Sequence, residues 1–156
     1  MTAMISINPL DWRSVLLARH AQHVVLVHFP IGLFLMGVAF DLWGIVRKRE
    51  EFVRVAYFNF CAAAILAVPT LLTGVAARQW ALEGQKLKGI LLFHFLLGTF
   101  SAIFMWVTWW LARAGDAERK SVQVPWTRLV VELSGAALLM LTGHLGGFLS
   151  GVNGGS

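Results

Sequence analysis

Five histidines stand in this sequence: His20, His23, His28, His94 and His144. Imidazole can ligate a metal through either ring nitrogen, carry a proton near neutral pH, or hydrogen-bond across a helix interface. His23 and His28 lie in the otherwise apolar stretch HVVLVHFPIG. An ionisable side chain inside a run that crosses a bilayer is costly and calls for a ligand, a partner or a wet cavity. No nucleophile stands beside a base, and no carboxylate pair falls at a common depth, so hydrolytic chemistry is not indicated. Cys61 is the single cysteine and C-x-x-C-H is absent. An intrachain disulfide is therefore excluded, and a haem would be held by coordination and packing alone.

The elements that must position these side chains are membrane spans. The chain is 58% hydrophobic and only 13% charged, outside the range of soluble domains. A run of about 20 apolar residues crosses a hydrocarbon core about 30 Å thick, and four such runs occur, at residues 23–46, 55–77, 89–111 and 128–150. The expected fold class is all-α and integral to the membrane, an up-down-up-down four-helix transmembrane bundle over residues 23–150. Short connections make consecutive helices antiparallel neighbours. Residues 1–22 read as a short interfacial helix, with Asn8 as N-cap, Pro9 in the first turn and Trp12, Leu16 and Arg19 at the interface. They lack a basic stretch followed by an apolar one, so no cleaved signal peptide is expected. Residues 151–156 form a flexible tail. Pro69 is expected to kink span two beside Thr70 and Thr73, and Trp106, Trp109 and Trp110 mark the far interface of span three.

Charge orients the bundle. The loops after spans one and three carry eight basic residues, Arg47, Lys48, Arg49, Arg54, Arg113, Arg119, Lys120 and Arg128. The opposite side carries five, Arg13, Arg19, Arg78, Lys86 and Lys88. The bias places both termini outside the cytoplasm of a bacterial inner membrane. The net charge of +5 belongs to loops beside a bilayer, so anionic lipid suffices as its partner and nucleic acid is not implied.

Depth follows from a rise of about 1.5 Å per residue. His28, His94 and His144 each fall roughly 7–9 Å below the same outer surface, on three different helices. His23 is about 7.5 Å above His28 and about 140° around the helix, so the two cannot face one point, and His23 reads as a rim residue. Gly32 follows His28 by one turn, Gly98 follows His94 likewise, and Gly143 and Gly147 flank His144. Bare backbone on an imidazole's own face is what a flat macrocycle needs to slide between helices. The same glycines also serve close helix packing, Gly143 and Gly147 forming a GxxxG, and each histidine taken alone could be an interhelical hydrogen bond. A bis-imidazole haem site suits His28 and His94, with His144 as a substitute ligand, a hydrogen-bond partner of a ligand, or a hydrogen-bond donor to a propionate or a quinone. Arg19, Arg78, Lys86 and Lys88 lie on the side where propionates would emerge. Asp41 and Glu132, the latter one turn after Arg128, read as structural, each within reach of water or a basic partner on the opposite side. Cys61 reads as a small core residue.

The elements His23 to Ile31 (HxxxxHFPI), Asp41, Thr73-Gly74, His94 and Gly143-His144-Leu145-Gly146-Gly147 together resemble the bacterial four-span membrane family designated domain of unknown function 2231, over roughly residues 20 to 150. Members often have proline directly after the first histidine, where Val24 stands here. They also carry a Leu-Val-Tyr-like segment after the double glycine, where this chain has Phe148-Leu149-Ser150. The resemblance implies association with cytochrome-containing proteins and hence haem b. The expected function is a small b-type cytochrome or cytochrome-like subunit, an electron-transfer protein rather than a stand-alone enzyme. It would hold one haem iron by His28 and His94, with a quinone, a larger membrane complex or an external cytochrome as partner. Two other readings stand beside it: a non-catalytic accessory subunit of a larger complex, and a histidine-based metal or chlorin site. Nothing suggests the inverted repeats of a transporter.

Overall fold

The computed structural model describes residues 19–80, 86–117 and 124–149. They form five helices, α1 (Arg19–Leu26), α2 (His28–Arg47), α3 (Glu50–Trp80), α4 (Gly89–Ala117) and α5 (Trp126–Leu149), with no strand among the described residues. The interfacial helix expected over residues 1–22 and the tail expected at 151–156 fall almost wholly outside them. Four stretches are long and apolar enough to cross a membrane: Gln22–Arg47, Glu50–Gln79, Gly89–Ala114 and Trp126–Leu149. The fold is all-α and of the membrane-spanning kind.

Local chemistry explains the helix boundaries. Pro30 has no N–H to offer the carbonyl of Leu26, so the regular ladder is interrupted where α1 meets α2. Val27 between them keeps helical dihedrals (φ −60, ψ −27) and its N–H bonds the His23 carbonyl at 3.0 Å, so both helices serve the first span. At its other end α2 stops at Lys48, in the left-handed region (φ 52, ψ 43), whose N–H closes on the last-turn carbonyls of Gly44 and Ile45. That turn needs Gly44, because a Cβ there would stand 2.7 Å from Val53 Cγ2 and 3.2 Å from the Arg49 carbonyl oxygen.

Contacts at both ends show which helices run antiparallel. His23 at the start of the first span meets Thr70 late in α3, while Gly44 near its end meets Val53 early in α3. His94 early in α4 meets Thr142 late in α5, and Asp41 late in α2 meets Arg128 early in α5. The centre is filled by two rings received on glycines. A Cβ on Gly37 would lie 2.6 Å from Phe60, and one on Gly135 would lie 2.9 Å from Phe34. The two rings touch at 5.4 Å between centroids. Ala56, Ala63, Ala67, Ala102 and Ala136 complete the core, the small-residue packing by which helices approach in lipid. Large apolar side chains such as Phe58, Leu72, Phe93 and Met140 point outward from the bundle, as spans that meet a bilayer require.

Candidate functional site

Two histidines are built into the helix interfaces at one end of the bundle, and both follow the same plan. His23 Nδ1–H donates to the Thr70 carbonyl at 3.1 Å and lies 3.3 Å from Thr73 Oγ1. His94 Nδ1–H donates to the Thr142 carbonyl at 3.0 Å. Donor and acceptor are 47 residues apart in one case and 48 in the other. Each threonine hydroxyl bonds back to the carbonyl one turn earlier, Thr70 to Leu66 and Thr142 to Leu138, both at 2.8 Å. Each threonine is followed one turn later by a glycine that receives the imidazole. A Cβ would stand 3.0 Å from His23 Cε1 at Gly74 and 3.1 Å from His94 Cε1 at Gly146. A carbonyl can only accept, so it assigns the ring proton to Nδ1 in both side chains.

The other expected positions lie elsewhere. His28 is exposed and its Nδ1–H is taken by the Val24 carbonyl of its own helix line, at 2.6 Å. His144 is also exposed, its ring edge-on to Phe148 with centroids 5.1 Å apart. His28 and His94 are thus each tied through Nδ1 to a backbone carbonyl, of Val24 and of Thr142. Among the described residues no group of three or more His, Cys, Asp or Glu side chains is placed to hold a metal ion. The roles along the first span are reversed: His23, read as a rim residue, is the one turned into an interface. Rise per residue sets depth, but the azimuth facing a neighbour depends on how helices pack. Gly32 and Gly143 face open space, and a Cβ on Gly98 would meet only Thr142 Cγ2, at 3.6 Å. Gly147 and Arg78 do engage other groups of the chain. The glycines that matter to the imidazoles are Gly74 and Gly146, each on the helix opposite its histidine, where same-helix spacing cannot point.

At the other end the structure joins Asp41, read as structural, to Arg128 and Glu132, which stand one turn apart. Asp41, Arg128 and Glu132 are 0%, 1% and 0% exposed. Arg128 Nη2 donates to Asp41 Oδ2, and its Nε donates to Glu132 Oε1 at 2.7 Å. The guanidinium lies 5.6 Å from the centre of the Phe60 ring. The sequence reading gave each acid water or a basic partner within reach, and Arg128 is that partner, but it found no carboxylates at one depth. Here two share one guanidinium inside the bundle, and the overlooked signal was the placement of three charges within apolar runs.

Two helix interfaces pinned by histidine, closed at the far end by a buried ion cluster, define a small polytopic membrane protein with polar ends and an apolar waist. The chain belongs to the family described as predicted membrane protein (DUF2231), which it matches over residues 19–154. No curated protein and no solved structure matches it.

Proposed function

We propose that this protein is a small b-type cytochrome-like membrane subunit that takes one haem at its histidine-bearing end and passes electrons between a quinol or membrane complex and an external acceptor. The observation that carries this reading is the anchoring of His94. Its Nδ1–H is committed to the Thr142 carbonyl, which leaves Nε2 as the nitrogen that would coordinate, the arrangement that metal-ligating imidazoles use. His23, held on the same plan, is the second imidazole of the reading, and Arg78 on that side suits a propionate. Haem supplies the one-electron chemistry, and the protein's part is to orient the imidazoles and keep one face of the site in an apolar setting. The excess of basic residues beside Arg47 to Arg49 favours a bacterial inner membrane setting with the histidine end outside the cytoplasm. The test is optical. Purified protein should show a Soret band and a reduced α-band that disappear in His94→Ala and in His23→Ala but persist in His28→Ala and His144→Ala. A His94→Ala variant with the full spectrum overturns the reading.

A second reading is favoured by one observation: the imidazoles themselves fill the space over Gly74 and Gly146. In it the histidines are interhelical hydrogen bonds of an accessory subunit. Colourless protein that co-purifies with a larger membrane complex would support this reading against the first.

A further inference from the structure

The cluster at the opposite end carries two carboxyls and one guanidinium. Arg128 uses Nη2 for Asp41 and Nε for Glu132, and all three side chains are within 1% of full burial. Nε and Nη2 are bonded to the same carbon, so one planar guanidinium holds the two carboxyls side by side. Glu132 Oε2, buried, finds no donor among the described groups. Two ionised carboxylates against one guanidinium leave a net negative charge away from water, a state that close carboxyl pairs avoid by sharing a proton. A shared proton also supplies a donor for Glu132 Oε2, since two ionised carboxylates have none of their own.

We propose that Asp41 and Glu132 hold one proton between them beside Arg128, making this cluster a buried proton-binding site. With the proton bound the cluster is neutral, and release of that proton leaves it with one negative charge. The neighbouring elements do not change this count. Helix α3 brings the Phe60 ring against the guanidinium, and its charged residues at this end, Glu50, Glu51 and Arg54, are exposed. Helix α4 brings Thr108, fully buried and about as far below His94 as Arg128 is below Thr142. Its Arg113 is exposed and lies against the Trp109 ring.

Infrared spectroscopy of the purified protein at neutral pH reads the proton, because a protonated carboxyl has a C=O stretch above the amide I region that a carboxylate lacks. One such band is expected in the wild type. It should vanish in Asp41→Asn and equally in Glu132→Gln, since the remaining acid is then matched by the guanidinium. Circular dichroism and gel filtration establish that these near-isosteric variants are folded. A carbodiimide that reacts with protonated carboxyls in apolar surroundings gives a second readout. Its adduct should map to Asp41 or Glu132 in the wild type and fall at least tenfold in either variant. Absence of the infrared band in the wild type, its survival in both variants, or its appearance only when Na+ and K+ are withdrawn would each overturn the proposal, the last by assigning the site to a monovalent cation.

Discussion

Glycines divide sharply by what faces them. At Gly37 and Gly135 the missing Cβ is the room that Phe60 and Phe34 occupy, and both rings are fully buried, so neither can swing away into lipid. At Gly32 and Gly143 nothing lies within 4 Å. Gly37→Ala and Gly135→Ala should each destabilise the folded protein by about 1–3 kcal/mol through overpacking. Gly32→Ala and Gly143→Ala should be neutral or slightly stabilising, because alanine restrains the unfolded chain. Thermal unfolding in one detergent, followed by circular dichroism, ranks the four, and equal losses at all positions would contradict the packing described. At this scale the sequence was only partly legible. Glycine four residues from histidine on one helix is visible in the sequence. Glycine opposite histidine on another helix, as at Gly74 and Gly146, is not.

Helix ends and interruptions carry the next level of organisation. The α2–α3 hairpin closes through Lys48 in a left-handed conformation, which costs a non-glycine residue roughly 1 kcal/mol. Lys48→Gly should therefore leave stability unchanged or raise it by up to about 1 kcal/mol, and Lys48→Val should lower it, because a β-branched side chain tolerates positive φ least. Chemical denaturation of the two variants side by side checks the sign. In α3, Pro69 withholds an N–H from the ladder, and the adjoining turn is where the Thr70 carbonyl accepts both the His23 imidazole and the Thr73 hydroxyl. The weak point expected from proline is thus a place where a neighbouring helix is fastened.

Across the whole molecule, imidazole and threonine gather at one end, carboxylate and guanidinium at the other, and an aromatic and alanine waist separates them. The proposed orientation, with the histidine end outside the cytoplasm, is a property of this whole arrangement. With Cys61 changed to serine, a cysteine at Lys88 should react with a membrane-impermeant maleimide on intact cells, and one at Arg54 only after permeabilisation. The reverse pattern would invert the orientation and put the histidine end inside. Both probe positions are exposed, so their labelling reports side rather than burial.

Membrane residence, four spans and the histidine depths all follow from apolar run length and a constant rise per residue, which are one-dimensional properties of the chain. The approach of His23 to Thr70, of His94 to Thr142 and of Asp41 to Arg128 does not. Each needs two helices at a set rotation, and rotation in lipid is chosen by which small residues let backbones meet and which rings fill the gaps. The sequence by itself determined that ionisable groups would lie within a membrane-spanning bundle. Only the tertiary structure decided that His23 rather than His28 turns inward, and that two buried acids share one arginine.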